Sequence, residues 1–206
     1  MAYRRLAARL RTPPPSCGAV RVIAVDGPSG AGKSTFAHLL ASAMDTADEP
    51  ATPVSPVSPV TVVGSDDFRV PWDADPLTWW NPLARDVLEP LAAGRPGTLR
   101  RYDWHRDTFG PEETVPAEGL LILEGVGAAW RDSPAAYRIW VDAPRAVRRA
   151  RALERDGAEY ADAWDAWAER ETRHFTADGT RDRADLLVDG TDLTGPALTY
   201  AHRPPP

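Results

Sequence analysis

The chain has 206 residues and a mass of 22.5 kDa, with 43% hydrophobic and 26% charged residues, a balance that fits one globular domain and excludes a disordered or fibrous chain. A formal net charge of −6 and an isoelectric point near 5.2 weigh against holding nucleic acid by bulk charge, and no apolar run approaches the roughly 20 residues of a membrane helix. The single cysteine, Cys17, can close no internal disulfide and leaves too few soft ligands for a zinc cluster; with no hydrophobic stretch after the arginines of the first ten residues, a cytoplasmic protein is expected.

In chain order, Tyr3 to Leu10 has the spacing of a short amphipathic helix, ended by the three prolines before Ser16. VRVIAVD, Val20 to Asp26, reads as a buried strand running into a glycine-rich turn, and Lys33 to Met44 as a helix. Asp45 to Pro59 has proline at three-residue spacing and is expected to be an extended surface loop. A second strand is expected at Val60 to Gly64, then a helix over Asn81 to Ala93 closed by Gly94. Leu99 to Trp104 reads as a strand whose arginines put it at a sheet edge. LLIL at Leu120 to Leu123 is a fully apolar strand ending in Glu124-Gly125, and YRIWVD at Tyr137 to Asp142 another. Helices are expected at Pro144 to Arg155 and Ala161 to Phe175, and a last strand at Ala184 to Asp189, before a proline-ended tail expected to be disordered. Strands alternating with helices at this spacing predict an α/β fold: three layers, with a central parallel sheet between helices. The expected organisation is an N-terminal helix and linker over residues 1–19, one domain over 20–190 and a tail over 191–206.

The chemistry is concentrated between the first strand and the first long helix. Gly27-Pro-Ser-Gly-Ala-Gly-Lys-Ser34 matches G-x-x-x-x-G-K-[ST] without a mismatch. Glycines at 27, 30 and 32 let backbone N–H groups turn inward on an anion, and the next helix adds the positive end of its dipole. Lys33, the only lysine in a chain with 24 lysines and arginines together, is placed to reach the β- and γ-phosphates, and the Ser34 hydroxyl to bind Mg²⁺. Gly27, Ser29, Gly30, Ala31, Gly32, Lys33, Ser34 and Thr35 are therefore the candidate ATP-binding residues. A guanine-reading N-K-x-D motif would need a second lysine, which excludes that GTPase class. The apolar strand ends in a lone glutamate rather than Asp-Glu, which favours transfer to a substrate hydroxyl over hydrolysis.

VIAVDGPSGAGKST, GSDDF at Gly64 to Phe68, YDW at Tyr102 to Trp104, LILEG at Leu121 to Gly125 and VDAPRAVRRARALERD occur in the order and rough spacing of the uridine kinase-like P-loop kinases, which the chain resembles over about residues 20–190. The resemblance implies a P-loop fold with a helical lid, in which ATP and Mg²⁺ are used to phosphorylate a hydroxyl of a small molecule. By position it implies that Asp66 acts on the acceptor hydroxyl, with Asp67 beside it as the other candidate, and that Glu124 holds Mg²⁺ together with Ser34. It implies that Arg148 and Arg149 are lid arginines on a helix that also carries Arg145, Arg151 and Arg155, and that Asp73, Tyr102 and His105 touch the acceptor. Trp72, Trp79, Trp80 and Trp104 lie around them and could stack a planar group, although tryptophans more often pack a core. The segment WDADPLTWWNP departs from the pattern of true uridine kinases, so a nucleoside such as uridine or cytidine is one acceptor among others: a nucleoside monophosphate, or a non-nucleoside metabolite. An ATP-binding regulatory module is the alternative from another class, and an oligomer is compatible with all of these readings.

Overall fold

A computed structural model of the chain describes residues 2–45, 59–193 and 200–202. The proline-rich loop expected at Asp45 to Pro59 lies almost wholly outside the described residues. The elements are α1 (Ala2–Leu10), β1 (Ala19–Asp26), α2 (Lys33–Asp45), β2 (Val60–Gly64), a 3-10 turn (Ser65–Phe68), α3 (Trp80–Leu83), a π turn (Ala84–Leu88), α4 (Glu89–Ala92), β3 (Gly97–Asp103), β4 (Thr108–Val115), β5 (Glu118–Glu124), β6 (Tyr137–Asp142), α5 (Arg145–Asp156), α6 (Ala161–Asp178), β7 (Leu186–Asp189) and β8 (Tyr200–His202).

The main sheet has the order β2-β5-β1-β6-β7-β8, parallel except for β8, which pairs antiparallel with β7. Side chains alternate across it as the two-residue period of a strand requires. From β1 and β5, Ile23, Val25, Leu120 and Ile122 join α1 and α2 on one face, where Phe36, Leu40 and Met44 are buried. Val20, Val22, Ala24, Leu121 and Leu123 join Trp79, Trp80, Leu83 and Leu91 on the other. Burial on both faces is why these strands are apolar almost without a break, Arg21 of β1 being the half-buried exception. Each such leucine or isoleucine stabilises the fold by about 1.5–3 kcal/mol relative to exposure.

Three sequence expectations are corrected. The strand over Leu99 to Trp104 is no edge of the main sheet: Gly97–Asp103 pairs antiparallel with Thr108–Val115 in a separate hairpin. Its buried Leu99 and Tyr102 flank the exposed Arg100 and half-buried Arg101 across a register shift, and a sheet covered on both sides cannot take those arginines. The helix over Asn81 to Ala93 widens into a π turn at Ala84–Leu88, just before Pro90, which has no N–H for the carbonyl four residues back. In the tail expected to be disordered, Tyr200–His202 adds the antiparallel strand β8; residues 194–199 and 203–206 lie outside the described residues. No helix among the described residues is long and apolar enough to cross a membrane.

Candidate functional site

β1, β2 and β5 end together at one edge of the sheet, and the turns leaving these three strands build the site. After β1 the chain turns through the glycine loop into α2. Gly30 sits at φ +79°, and a Cβ there would meet the Arg148 carbonyl oxygen at 2.4 Å, so only glycine lets the loop lie against α5. Lys33 is 8% exposed, and its Nζ donates to the Pro28 carbonyl at 3.1 Å, holding the ammonium inside the loop. Ser34 and Thr35, in the first turn of α2, are exposed.

The Ser34 hydroxyl donates to Glu124 Oε1 at 3.0 Å, joining the start of α2 to the end of β5. Burial pushes the Glu124 carboxyl up to about 7, Asp66 and Asp67 add to the push, and Lys33 and the Ser34 hydroxyl oppose it. A buried carboxylate beside a second acid and a hydroxyl is a donor set of hard oxygens that a divalent cation would neutralise, so Ser34 and Glu124 fit Mg²⁺. Among the described residues no group of three His, Cys, Asp or Glu side chains is placed to hold a metal ion.

The turn after β2 carries the two adjacent acids. Gly125 lets this turn lie on the end of β5: at φ +139°, a Cβ there would meet Ser65 Oγ at 2.4 Å. Asp67 is consumed, since its Oδ2 accepts from the Gly64 N–H at 2.8 Å and pairs with Arg101 at 2.7 Å. Asp66 is exposed, with one long contact of 3.4 Å from the Ser65 hydroxyl.

The hairpin β3–β4 folds over this turn. The indole of Trp104 donates from Nε1 to the Asp66 carbonyl at 3.0 Å, yet the residue is 53% exposed. Tyr102 packs edge-on against both Trp104 and Phe109, and its hydroxyl lies between Arg69 Nε and the Asp107 carboxylate. Asp73 and His105 are exposed, and the His105 N–H is turned onto Asp103 Oδ1 at 3.0 Å. The other tryptophans divide by environment. Trp79 and Trp80 are core residues that donate to the carbonyls of Val126 and Gly127, and Trp72 packs edge-on against Trp167. Trp104 is thus the one of the four singled out that presents its ring beside Asp66.

The arginines of α5 fall on two faces, because neighbours in a helix sequence do not share a side. Arg145 and Arg149 pair with Asp165 of α6 at 3.1 and 3.0 Å, on an open surface. Arg148, Arg151 and Arg155, at helical spacing, line the other face. Arg148 donates to the Ser29 and Ala143 carbonyls, and Arg151 to the carbonyls of Gly190 and Thr191. Arg155 is held by Asp156, burial opposes its charge, and Asp66 and Glu124 both reinforce it electrostatically. Of the expected lid pair, Arg148 therefore touches the phosphate loop and Arg149 does not, while Arg155 lies within electrostatic reach of the carboxylates.

Two acids with no role readable from the sequence complete the site. Asp26, fully buried at the end of β1, accepts from the N–H groups of Gly27, Gly127 and Ala129 at 2.7, 3.0 and 2.8 Å, tying the loop after β1 to the loop after β5. Glu171 of α6 accepts from the Ser29 N–H at 2.8 Å. Asp26 could have been suspected from its place directly before the glycine loop; nothing in the sequence marks Glu171.

The chain matches solved structures along nearly its whole length. A possible uridine kinase from Bacillus stearothermophilus aligns over 90% of this chain and 96% of its own with 18% identity and a TM-score of 0.58. A candidate fructose transport system kinase from Silicibacter sp. TM1040 aligns over 86% and 95% with 21% identity and a TM-score of 0.58. The fold is that of the P-loop kinases. At these identities the likeness is one of architecture. No protein-family model matches the chain, and no curated protein matches it. The glycine loop, the tip of β2 and the tip of β5 meet at one end of this sheet, through the Ser34–Glu124 bond and the close approach of Ser65 to Gly125.

Proposed function

We propose that the chain is a small-molecule kinase that transfers the γ-phosphate of ATP to a hydroxyl group. The observation that carries this reading is the division of labour between the paired acids: Arg101 and Gly64 withdraw Asp67, and Asp66 stays free at the sheet edge beside the Ser34–Glu124 pair. The amides of Gly30 and of Gly32 to Thr35 and the Lys33 ammonium hold the β- and γ-phosphates. Ser34 and Glu124 are the residues that would hold Mg²⁺, which when bound supplies charge to the phosphate oxygens. Asp66 orients the acceptor alcohol and takes its proton as the oxygen attacks phosphorus and ADP leaves. Arginine charge on α5 offsets the negative charge shared by the entering and leaving oxygens.

The acceptor we infer is a nucleoside such as uridine or cytidine. The support is Trp104, whose ring is fixed by its bond to the Asp66 backbone, packed edge-on with Tyr102 and half exposed: a platform for a planar group next to Asp66. Asp73, Tyr102 and His105 are proposed to complete that subsite. A coupled ADP-release screen over nucleosides, nucleoside monophosphates, pantothenate and sugars tests both levels. Magnesium-dependent ADP release with a nucleoside supports the full reading, release with another alcohol moves the acceptor, and acceptor-independent slow turnover alone favours an ATP-binding regulatory module.

A further inference from the structure

Every hydrogen-bonding group of one phosphate-loop residue is committed to the helices after β6. The Ser29 N–H donates to Glu171 Oε2 at 2.8 Å, the Ser29 hydroxyl accepts from Trp167 Nε1 at 2.8 Å, and the Ser29 carbonyl accepts from Arg148 at 3.2 Å. Trp167 and Glu171 are one turn apart on α6, so both reach the loop from the same face. Glu171 is 1% exposed, and its second oxygen pairs with Arg148 at 3.1 Å. A buried carboxylate next to a loop built for phosphate is an electrostatic conflict unless it is neutralised, and Arg148 neutralises it where it stands.

We propose that Glu171, with Arg148 as its counter-ion, is a positioning residue of the phosphate loop: it fixes the Ser29 peptide and so the curvature of the loop that receives the nucleotide phosphates. The inference rests on the phosphate-binding reading of that loop. It gives Arg148 a different task from an arginine that reaches across to phosphate, because one of its terminal nitrogens donates to both Ser29 O and Glu171 Oε1. It also removes Ser29 from the phosphate ligands, since its N–H points to a carboxylate. With the ion pair net neutral, its effect on phosphate is geometric. A loop whose third residue is held from three sides has less freedom to lose on binding than one held only by its ends.

The test is calorimetric titration of Mg²⁺–ADP into the full chain, with the melting temperature measured alongside. Glu171→Gln keeps a carbonyl acceptor for the Ser29 N–H and is expected to bind within a few-fold of the parent. Glu171→Ala removes the acceptor and is expected to weaken ADP on the order of tenfold or more, the usual size for loss of a hydrogen bond to a charged group. Because Glu171→Ala strands a buried guanidinium, the double variant Arg148→Met/Glu171→Met, which deletes the pair without leaving a charge, serves as the second measurement. It is expected to stay folded and still bind ADP on the order of tenfold more weakly. A lowered melting temperature with unchanged ADP affinity in Glu171→Ala and in the double variant overturns the proposal and leaves a purely structural ion pair. A parent chain that does not bind ADP overturns the phosphate-loop reading itself.

Discussion

Arg101 pairs with Asp67 at 2.7 Å, and this contact from the hairpin decides which of two adjacent acids is free to act. Arg101 also reaches Glu113 and the Val62 carbonyl, so it staples β3 to the end of β2. Asp66→Asn is therefore expected to lower turnover by roughly 10²-fold or more with Mg²⁺–ATP affinity unchanged, the size and kind of loss a general base shows. Asp67→Asn is expected to leave turnover within several-fold and to lower stability by about 1–3 kcal/mol, because it unpairs a half-buried arginine. Steady-state kinetics and urea unfolding on the two variants separate the roles, and equal losses of turnover would refute the assignment.

Ser34 and Glu124 predict a different kinetic signature. Glu124→Gln keeps the hydrogen bond with the Ser34 hydroxyl but removes the negative charge, so the magnesium concentration for half-maximal rate is expected to rise by about tenfold or more. Asp66→Asn should leave that concentration in place. Magnesium titrations at saturating ATP check both, and a shift in Asp66→Asn alone would exchange the two roles.

Lys33 lies buried inside the loop with its ammonium on the Pro28 carbonyl. Lys33→Ala and Lys33→Arg are both expected to abolish transfer while the fold is retained, since the guanidinium cannot replace a point charge there. Circular dichroism and ADP release measured together test this, and near-full activity in Lys33→Arg would refute the cradle geometry.

Strands β1 and β5 were legible because burial on both faces leaves a local mark, a nearly continuous apolar run ending at a glycine turn, and β2 and β6 by their β-branched and aromatic residues. The hairpin partner β4 was not, because Gly110, Pro111, Glu112 and Glu113 read as loop; its edge position leaves Pro111 free of any need to donate an N–H. The glycine turn between β1 and α2 was legible, since the glycines that make it and the helix that follows are marked locally. The choice between Asp66 and Asp67 was not, because the deciding guanidinium is 34 positions away. Glu171 was silent for the same reason, and Asp26 was marked only by its place before the glycine loop: what makes them matter is the set of N–H groups they meet, 142 positions away for Glu171 and up to 103 for Asp26.

The two faces of α5 predict unequal arginines. Arg149 shares Asp165 with Arg145 on an open surface, where an ion pair stabilises by no more than about 1 kcal/mol, so Arg149→Ala should leave turnover and stability nearly unchanged. Arg155 feels Asp66 and Glu124 and is held only by the neighbouring Asp156, from which phosphate oxygens can draw it. Arg155→Ala is expected to lower turnover by roughly 10–10²-fold with a smaller change in ATP affinity, as for charge used mainly in the transition state. Kinetics on both variants decide, and a larger loss in Arg149→Ala would restore the lid role to that residue.

Asp26 ties acid–base behaviour to stability. Burial pushes its carboxyl up to about 6, against the pull of the Ala129 and Gly27 N–H groups, the Lys33 charge and the Gly127 N–H. In the unfolded chain the group titrates near the ordinary value of about 3.9. Between those two values the folded state binds more protons than the unfolded state, so the contribution of Asp26 to stability is greatest below about pH 4, falls as pH rises through about 6, and is level above that. At about 1.4 kcal/mol per pKa unit, the loss is on the order of 3 kcal/mol. Asp26→Asn carries no proton to exchange and gives up one of two acceptor oxygens, so it should be less stable than the parent at pH 4.5, by about 1–3 kcal/mol. Because the Asp26 contribution is lost only in the parent as pH rises, that gap should shrink by about 2 kcal/mol between pH 4.5 and pH 7 and can reverse sign. Urea unfolding of both proteins without nucleotide, from pH 4 to 8, measures the gap directly. Glu124 and Asp178 also shift on folding, and their contributions cancel in the difference. A gap that stays constant across this range would mean that the N–H groups and Lys33 keep Asp26 ionised throughout, making it a fixed negative charge beneath the loop.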